Sequence, residues 1–248
     1  MLEPGGDIYA EMNRRVVPYG VNLEITSSCN LDCIHCYHIR SLDPEMNICE
    51  IGVLLDELAS LGSMELTLTG GEPLLHPDFH DILRHAVEHD GFSVKVFSNL
   101  TLIDKNIAAY IAEIGVHSVE TTLLGPEASL HDRLTGRAGS FERTVAGIRL
   151  LRDRSVTVSA KTIVMKENMS SLDEMYTLAE KLGVAFRHDE GLFVESNGRR
   201  RPLAHRISEY DLMALRRRYG GEPASQVCGP CNAAKSVVSI GPDGDVYP

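Results

Sequence analysis

Apolar residues along this chain alternate between two periods. VNLEIT (21–26) places them at every second position and reads as a strand. The segment 48–61 then carries Ile51, Leu54, Leu55, Leu58 and Leu61 at helical spacing and stops at Gly62. The same exchange repeats down the chain. MELTLT (64–69) is a second strand, and 78–89 sets Phe79, Ile82, Leu83, Ala86 and Val87 on one helical face, with Pro77 suited to the first turn and Gly91 beyond the end. FSVKVFS (92–98) is a third strand, followed by a helix from about Asp104 with Ile107, Tyr110, Ile111 and Ile114. HSVETTLL (117–124) is a fourth strand, and a loop leads from it to Ser140, a suitable cap for a helix bearing Phe141, Val145, Ile148 and Leu151. VTVSAKTIVM (156–165) is a fifth strand. Ser171 and Glu174 match a capping box ahead of Met175, Leu178 and Leu182, Gly183 stops that helix, and VAFRHD (184–189) is a sixth strand.

Six strand–helix alternations predict an α/β fold with a parallel sheet and helical crossovers. Right-handed crossovers leave an open doubly wound sheet or a closed or partly closed barrel, and period alone does not choose. Both place chemistry at the carboxyl ends of the strands, so residues just after each strand matter most. Residues 1–19 lack periodicity and form a lead-in. Residues 190–206 are polar and basic, with Arg199, Arg200 and Arg201 reading first as a solvated run, and a short helix is expected at about 208–218. The tail VVSIGPDGDVYP alternates and then turns at Asp-Gly, a hairpin signal. A lone hairpin cannot bury a core.

Composition narrows the function classes. Of 248 residues, 43% are hydrophobic and 24% charged, as in globular domains. Lys and Arg number 24 against 35 Asp and Glu, a formal net charge of −11, which argues against nucleic acid as the main partner. No apolar run of about 18 residues exists, and the start lacks the basic and apolar parts of a signal peptide. The expectation is a cytoplasmic chain without a membrane partner, in which clustered cysteines read as metal ligands or catalytic thiols rather than disulfides.

The six cysteines are unevenly placed. Cys29, Cys33 and Cys36 follow the first strand as C-x3-C-x2-C in SSCNLDCIHCYH (27–38). Thiolates select zinc or iron–sulfur clusters. Structural zinc takes four ligands, which His35 or His38 could complete; three thiolates alone leave one iron of a cubane open to a ligand. Cys49 opens a helix without partners and reads as an inert small residue. His76, His80 and His85 share a helix-face spacing and read as structural or exposed.

The loop CNLDCIHCY, together with LTLTGGEPLLHPDF (66–79) one strand later, resembles the radical S-adenosylmethionine (radical SAM) enzymes. That resemblance implies a partial (β/α)6 TIM-like barrel. It also implies a [4Fe–4S] cluster on Cys29, Cys33 and Cys36, with the amine and carboxylate of SAM on the fourth iron. Gly70, Gly71, Glu72 and Pro73 match the family's GGEP motif: the glycines admit a close backbone approach, and Glu72 offers a carboxylate to the SAM ammonium. Ser98 and Asn99 in VFSNL stand where the family binds the ribose, with ordinary turn chemistry as the competing reading. TTLLGPEASLHDRLTGRAGSF (121–141) is similar to the family's fourth-strand stretch. There Thr122 stands for a serine, and Leu124 replaces the usual aspartate, which puts a role at that position in doubt. Arg133, Arg137, Arg143 and Lys161 are candidates for the SAM carboxylate.

QVCGPCNAAKSVVSIGPDGDVYP, with Cys228 and Cys231, resembles the opening of a SPASM or twitch extension. The domain reading is then a lead-in at 1–19, a radical SAM core at 20–190, a linker and short helix at 191–220, and a truncated start of the extension at 221–248. An auxiliary [4Fe–4S] cluster is expected only in a longer chain, with Cys228 and Cys231 among its ligands.

The resemblance implies reductive cleavage of SAM to a 5′-deoxyadenosyl radical that abstracts hydrogen from a peptide or protein side chain, as in peptide maturation. A radical step in haem-type or redox-cofactor biosynthesis is the alternative. An electron donor such as flavodoxin or ferredoxin is implied, and a separate leader-peptide-binding protein could assist. From the residues alone, a zinc-binding hydrolase and a non-catalytic metal-binding scaffold stay open.

Overall fold

Strand β1 (Gly20–Glu24) buries Val21 and Leu23 on one face and turns Asn22 and Glu24 to the other. The same division recurs in β2 (Glu65–Thr69) and β3 (Ser93–Phe97), and again in β5 (Val158–Ile163). β4 (Ser118–Thr122) is buried on both faces over its first four residues, whereas β6 (Ala185–Asp189) is only half-covered. The computed structural model describes residues 14, 17–40, 43–220 and 236–247. Its one sheet has the order β6-β5-β4-β3-β2-β1-β7-β8, with β7 (Val237–Ile240) and β8 (Val246–Tyr247). β1 to β6 pair in parallel, and no pairing joins β6 back to β1, so the barrel is partial.

Helices cover the apolar face. α1 (Ile48–Leu61) follows the cysteine loop, α2 (Phe79–Arg84) follows β2, and α3 (Lys105–Ile114) follows β3. α4 (Ala128–Thr135) and α5 (Ser140–Arg152) lie between β4 and β5, α6 (Leu172–Leu182) between β5 and β6, and α7 (Glu209–Tyr219) after β6. Ile51, Leu55, Phe79, Ile82, Ile111 and Ile148 meet the strand residues Leu23, Leu66, Leu68, Val96 and Val119 in one core. The opposite, mostly polar strand face supplies Thr69, Phe97, Glu120, Thr122, Lys161 and Asp189 to a cavity at the carboxyl ends.

Several boundaries differ from the sequence reading for physical reasons. α1 has the expected extent, but its start is a capping box formed by Asn47 and Glu50: Asn47 Oδ1 accepts from Cys49 N and Glu50 N, and Glu50 Oε2 accepts from Asn47 N. The expected helix at 78–89 divides into α2 and a π turn at His85–His89, closed by the Asp90 N–H to His85 O bond. The expected loop between β4 and Ser140 contains α4, a short helix whose apolar face is little more than Leu130 and Leu134. Ser140 is the first helical residue of α5 rather than its cap. Asp132, reaching over from α4, accepts from Gly139 N, Ser140 Oγ and Phe141 N at 2.6–2.8 Å and does the capping. Ser171 makes no side-chain cap bond, so the Ser171–Glu174 capping box does not form.

The tail hairpin turns where expected, with Gly244 at φ +86°, but it does not stand alone: β7 runs parallel to β1 and widens the barrel sheet. Cys228, Cys231 and most of the segment around them lie outside the described residues. Among the described residues, no helix is long and apolar enough to cross a membrane.

Candidate active site

The loop after β1 carries Cys29, Cys33 and Cys36, and it is bound on both flanks by backbone. Asp32 N donates to Thr135 O and Ile34 N to Leu134 O at the end of α4, at 2.9 and 3.0 Å. On the other flank Gly71 N donates to Thr26 O and Glu72 N to Ser28 O, both at 2.8 Å. These contacts explain the two glycines. A Cβ on Gly70 would lie 2.3 Å from Thr26 O, and one on Gly71 would lie 2.3 Å from Ser28 O. Gly70 also sits at φ +132°, a region that side chains rarely adopt. The close approach is thus to the thiol loop itself, while both glycines still line the cavity.

Glu72 lies one layer deeper than the sequence reading placed it. It is fully buried, and its carboxylate accepts from Ser98 Oγ and Asn99 N at 2.8 Å and from Leu74 N at 3.2 Å. Burial raises its pKa to about 7, partly opposed by those three bonds. Pro73, equally buried, starts the short 3-10 turn that Glu72 caps. Ser98 and Asn99 do reach the cavity, and Asn99 Nδ2 donates to Asn30 Oδ1 in the thiol loop at 2.9 Å. The ends of β1, β2 and β3 form one hydrogen-bonded unit.

Thr122 and Leu124 also line the cavity, which has a volume of about 310 Å³. Of the four cations weighed for a carboxylate, Lys161 is in it, while Arg133, Arg137 and Arg143 are exposed outside. Lys161 Nζ lies 2.9 Å from Glu120 Oε1 and 4.3 Å from the centroid of the Phe97 ring. Arg187 meets the same carboxylate at 2.9 Å. Burial alone would raise the pKa of Glu120, but its two cationic partners more than offset this and hold it below the ordinary range. Glu120 and His131 are cavity residues that the sequence reading gave no role there, and His35, weighed only as a fourth zinc ligand, lines the cavity too. The legible signal for Glu120 was an acidic residue in the middle of a strand whose other residues are uncharged. Burial lowers both His35 and His131 to about 4, so both imidazoles are neutral at pH 7.

The donor set itself tests what the loop could hold. The three thiols are free and half-buried, and burial raises all three; at Cys33 the neighbouring thiols add to the rise. Thiolates crowded this way need a cationic centre. A single tetrahedral zinc would draw its sulfurs to about 3.8 Å apart, given Zn–S bonds of about 2.3 Å. Among the described residues, no three ligand atoms that include these sulfurs lie within 4.8 Å of one another. The spread suits a polynuclear cluster. His35 Nδ1 and His38 Nε2 are buried beside it without hydrogen-bond partners among the described residues.

A second cavity of about 380 Å³ opens next to the first and shares Tyr37 and His38 with it. Glu24, Asp43, Glu45 and Asp243 line it, and among the described residues no lysine or arginine does.

Known proteins resemble the chain at both levels. The AdoMet-dependent heme synthase of Methanosarcina barkeri is 34% identical over 168 residues, covering 66% of this chain and 48% of that enzyme. The mycofactocin maturase MftC of Mycobacterium ulcerans is 28% identical over 254 residues, covering 93% and 68%. The chain thus spans about half the length of the heme synthase. Among solved structures, Streptococcus suis SuiB bound to S-adenosylmethionine superposes with a TM-score of 0.70 at 16% identity, over 96% of this chain and 62% of that one. The native anSMEcpe structure with bound AdoMet gives 0.66 at 17% identity, over 92% and 73%. The family model described as the Radical SAM superfamily matches residues 23–179, from the end of β1 into α6 and so across the thiol loop, the GGEP turn and the ends of β1 to β5; the chain belongs to that superfamily.

Proposed function

We propose that this chain is the catalytic barrel of an enzyme that cleaves SAM reductively and abstracts hydrogen from a peptide or protein side chain. Cys29, Cys33 and Cys36 would hold a [4Fe–4S] cluster, and Gly70, Gly71, Ser98, Asn99 and Thr122 would line the seat of SAM. With both bound, that pair supplies one-electron cleavage of a C–S bond and a 5′-deoxyadenosyl radical for C–H abstraction. The chain's own residues orient and exclude. Glu72 fixes Ser98 and Asn99 against the thiol loop. Lys161 is the cation within reach of a bound carboxylate, and Glu120 holds its ammonium in place. The apolar wall from Leu31 and Leu124 keeps water from the seat. Cys228 and Cys231 remain proposed ligands of an auxiliary cluster, and an external electron donor of the flavodoxin or ferredoxin class completes the cycle.

The acidic second cavity carries the choice of substrate. A peptide with neutral or basic side chains gains from Glu24, Asp43, Glu45 and Asp243, whereas the carboxylates of a porphyrin would be repelled. The likeness to heme synthases supports the porphyrin reading as the second possibility. Anaerobic reconstitution with iron and sulfide should give about four irons held by Cys29, Cys33 and Cys36, and dithionite should then yield 5′-deoxyadenosine. Basic peptides should raise that yield, deuterium carried on their side chains should appear in the 5′-deoxyadenosine, and iron coproporphyrin III should stay unchanged. Bound zinc with no SAM cleavage would sink the radical reading, and decarboxylation of the porphyrin would replace the peptide with it.

A further inference from the structure

On the side of the barrel away from the thiol loop, the π turn at 85–89 runs out toward the start of β3 and packs against α1. Two imidazoles and two carboxylates meet there. Asp56 Oδ1 lies 2.8 Å from His85 Nε2 and 3.6 Å from His89 Nδ1. Asp90 Oδ2 lies 3.5 Å from His85 Nε2, and Asp90 Oδ1 lies 3.1 Å from His89 Nδ1. One ligand atom from each of the four falls within 4.8 Å of all the others.

We propose that Asp56, His85, His89 and Asp90 form a binding site for one late first-row divalent cation, with zinc the best match to their donors. Zinc bound by nitrogen and oxygen at about 2.0–2.1 Å sets neighbouring donors about 3.3 Å apart, close to the separations here. Two carboxylates and two neutral imidazoles balance a double positive charge, and imidazole selects the later metals over magnesium or calcium.

A second observation points the same way. The side chain of Asp90 is only 5% exposed, yet Oδ2 has no hydrogen-bond partner among the described residues and faces the cluster. Simple His–Asp pairing leaves that oxygen unsatisfied, whereas a cation gives it a bond. Among the described residues, the arginine beside the cluster, Arg84, is taken up by Asp81 at 2.8 Å and leaves the site's charge intact. The π turn brings the two rings to a centroid separation of 4.7 Å, and the His85 ring lies over Gly52 of α1, where an added Cβ would meet it at 3.5 Å. A bound ion would tie α1 to the segment entering β3. The site shares no residue with the SAM cavity and stands whatever reaction occurs there.

The test uses the full chain stripped with EDTA and dialysed against zinc chloride. Relative to wild type, His85→Ala/His89→Ala should bind one zinc fewer per chain, and the zinc-induced rise in Tm should shrink. The cobalt(II) difference spectrum between the two proteins should show d–d bands without thiolate charge transfer. Should the alanine variant fail to fold by circular dichroism, the near-isosteric Asp56→Asn/Asp90→Asn variant decides on the same readouts. Equal zinc in wild type and variant, or thiolate charge transfer in the difference spectrum, overturns the proposal.

Discussion

The ends of β1–β3 and the ends of β4–β6 face one cavity but are held in different ways. The first half is joined by backbone and neutral groups: Gly71 N to Thr26 O, Glu72 N to Ser28 O, and a buried carboxyl that gathers Ser98, Asn99 and Leu74. The second half is joined by charge, with Glu120 between Lys161 and Arg187, whose side chains are 22% and 54% exposed. Close backbone contact tolerates no displacement. An ion cluster that reaches solvent can shift with little loss, so the first half suits a rigid seat and the second half a wall that can adjust to what is bound.

Gly71→Ala attacks that contrast most severely. Its new Cβ would fall 2.3 Å from Ser28 O, and neither backbone can yield without moving the thiol loop. Iron retained after reconstitution is expected to fall at least tenfold, with 5′-deoxyadenosine formation falling alongside it. Unchanged iron content would show that the first half is not rigid.

Glu72→Gln probes the same half through pH. The folded pKa of Glu72, about 7, lies above the ordinary 4.5, so the native state holds the proton more tightly than the unfolded chain. Its stabilising effect is therefore complete below pH 4.5 and is lost as pH rises to about 7, a change of about 3 kcal/mol. Urea unfolding of the cluster-free chain should show this decline in wild type, and the variant should flatten it. The smallest effect is expected from Glu120→Gln. Because Lys161 and Arg187 can turn to water, the loss should be about 1 kcal/mol in stability, with a KM for SAM raised severalfold and kcat little changed. A larger loss here than for Glu72→Gln would erase the distinction.

What the sequence disclosed follows the same division. The thiol loop, the GGEP turn and Ser98–Asn99 each lie at the end of a strand whose period is plain, so local pattern placed them at the cavity. The buried position of Glu72 was not visible, because it depends on Ser98 and Asn99 some 26 residues away in sequence. Asp132 capping α5 and Glu120 bound by Arg187 are likewise long-range, at separations of 9 and 67 residues. α4 was missed because a helix of two turns, with two apolar anchors, leaves almost no periodic trace.

The pairing of β7 with β1 has a consequence in time. Asn22 Nδ2 donates to Ser239 Oγ across a sequence separation of 217 residues. At about 5–20 residues per second, a ribosome needs on the order of 10–40 s to make the partner that this strand awaits. For that interval β1 has β2 on one side and an open edge on the other, an invitation to mispairing with a neighbouring nascent chain. Final closure therefore carries a high contact-order cost and should be the slow step of refolding, so β1, made about 200 residues before β7, is among the last strands to be completed.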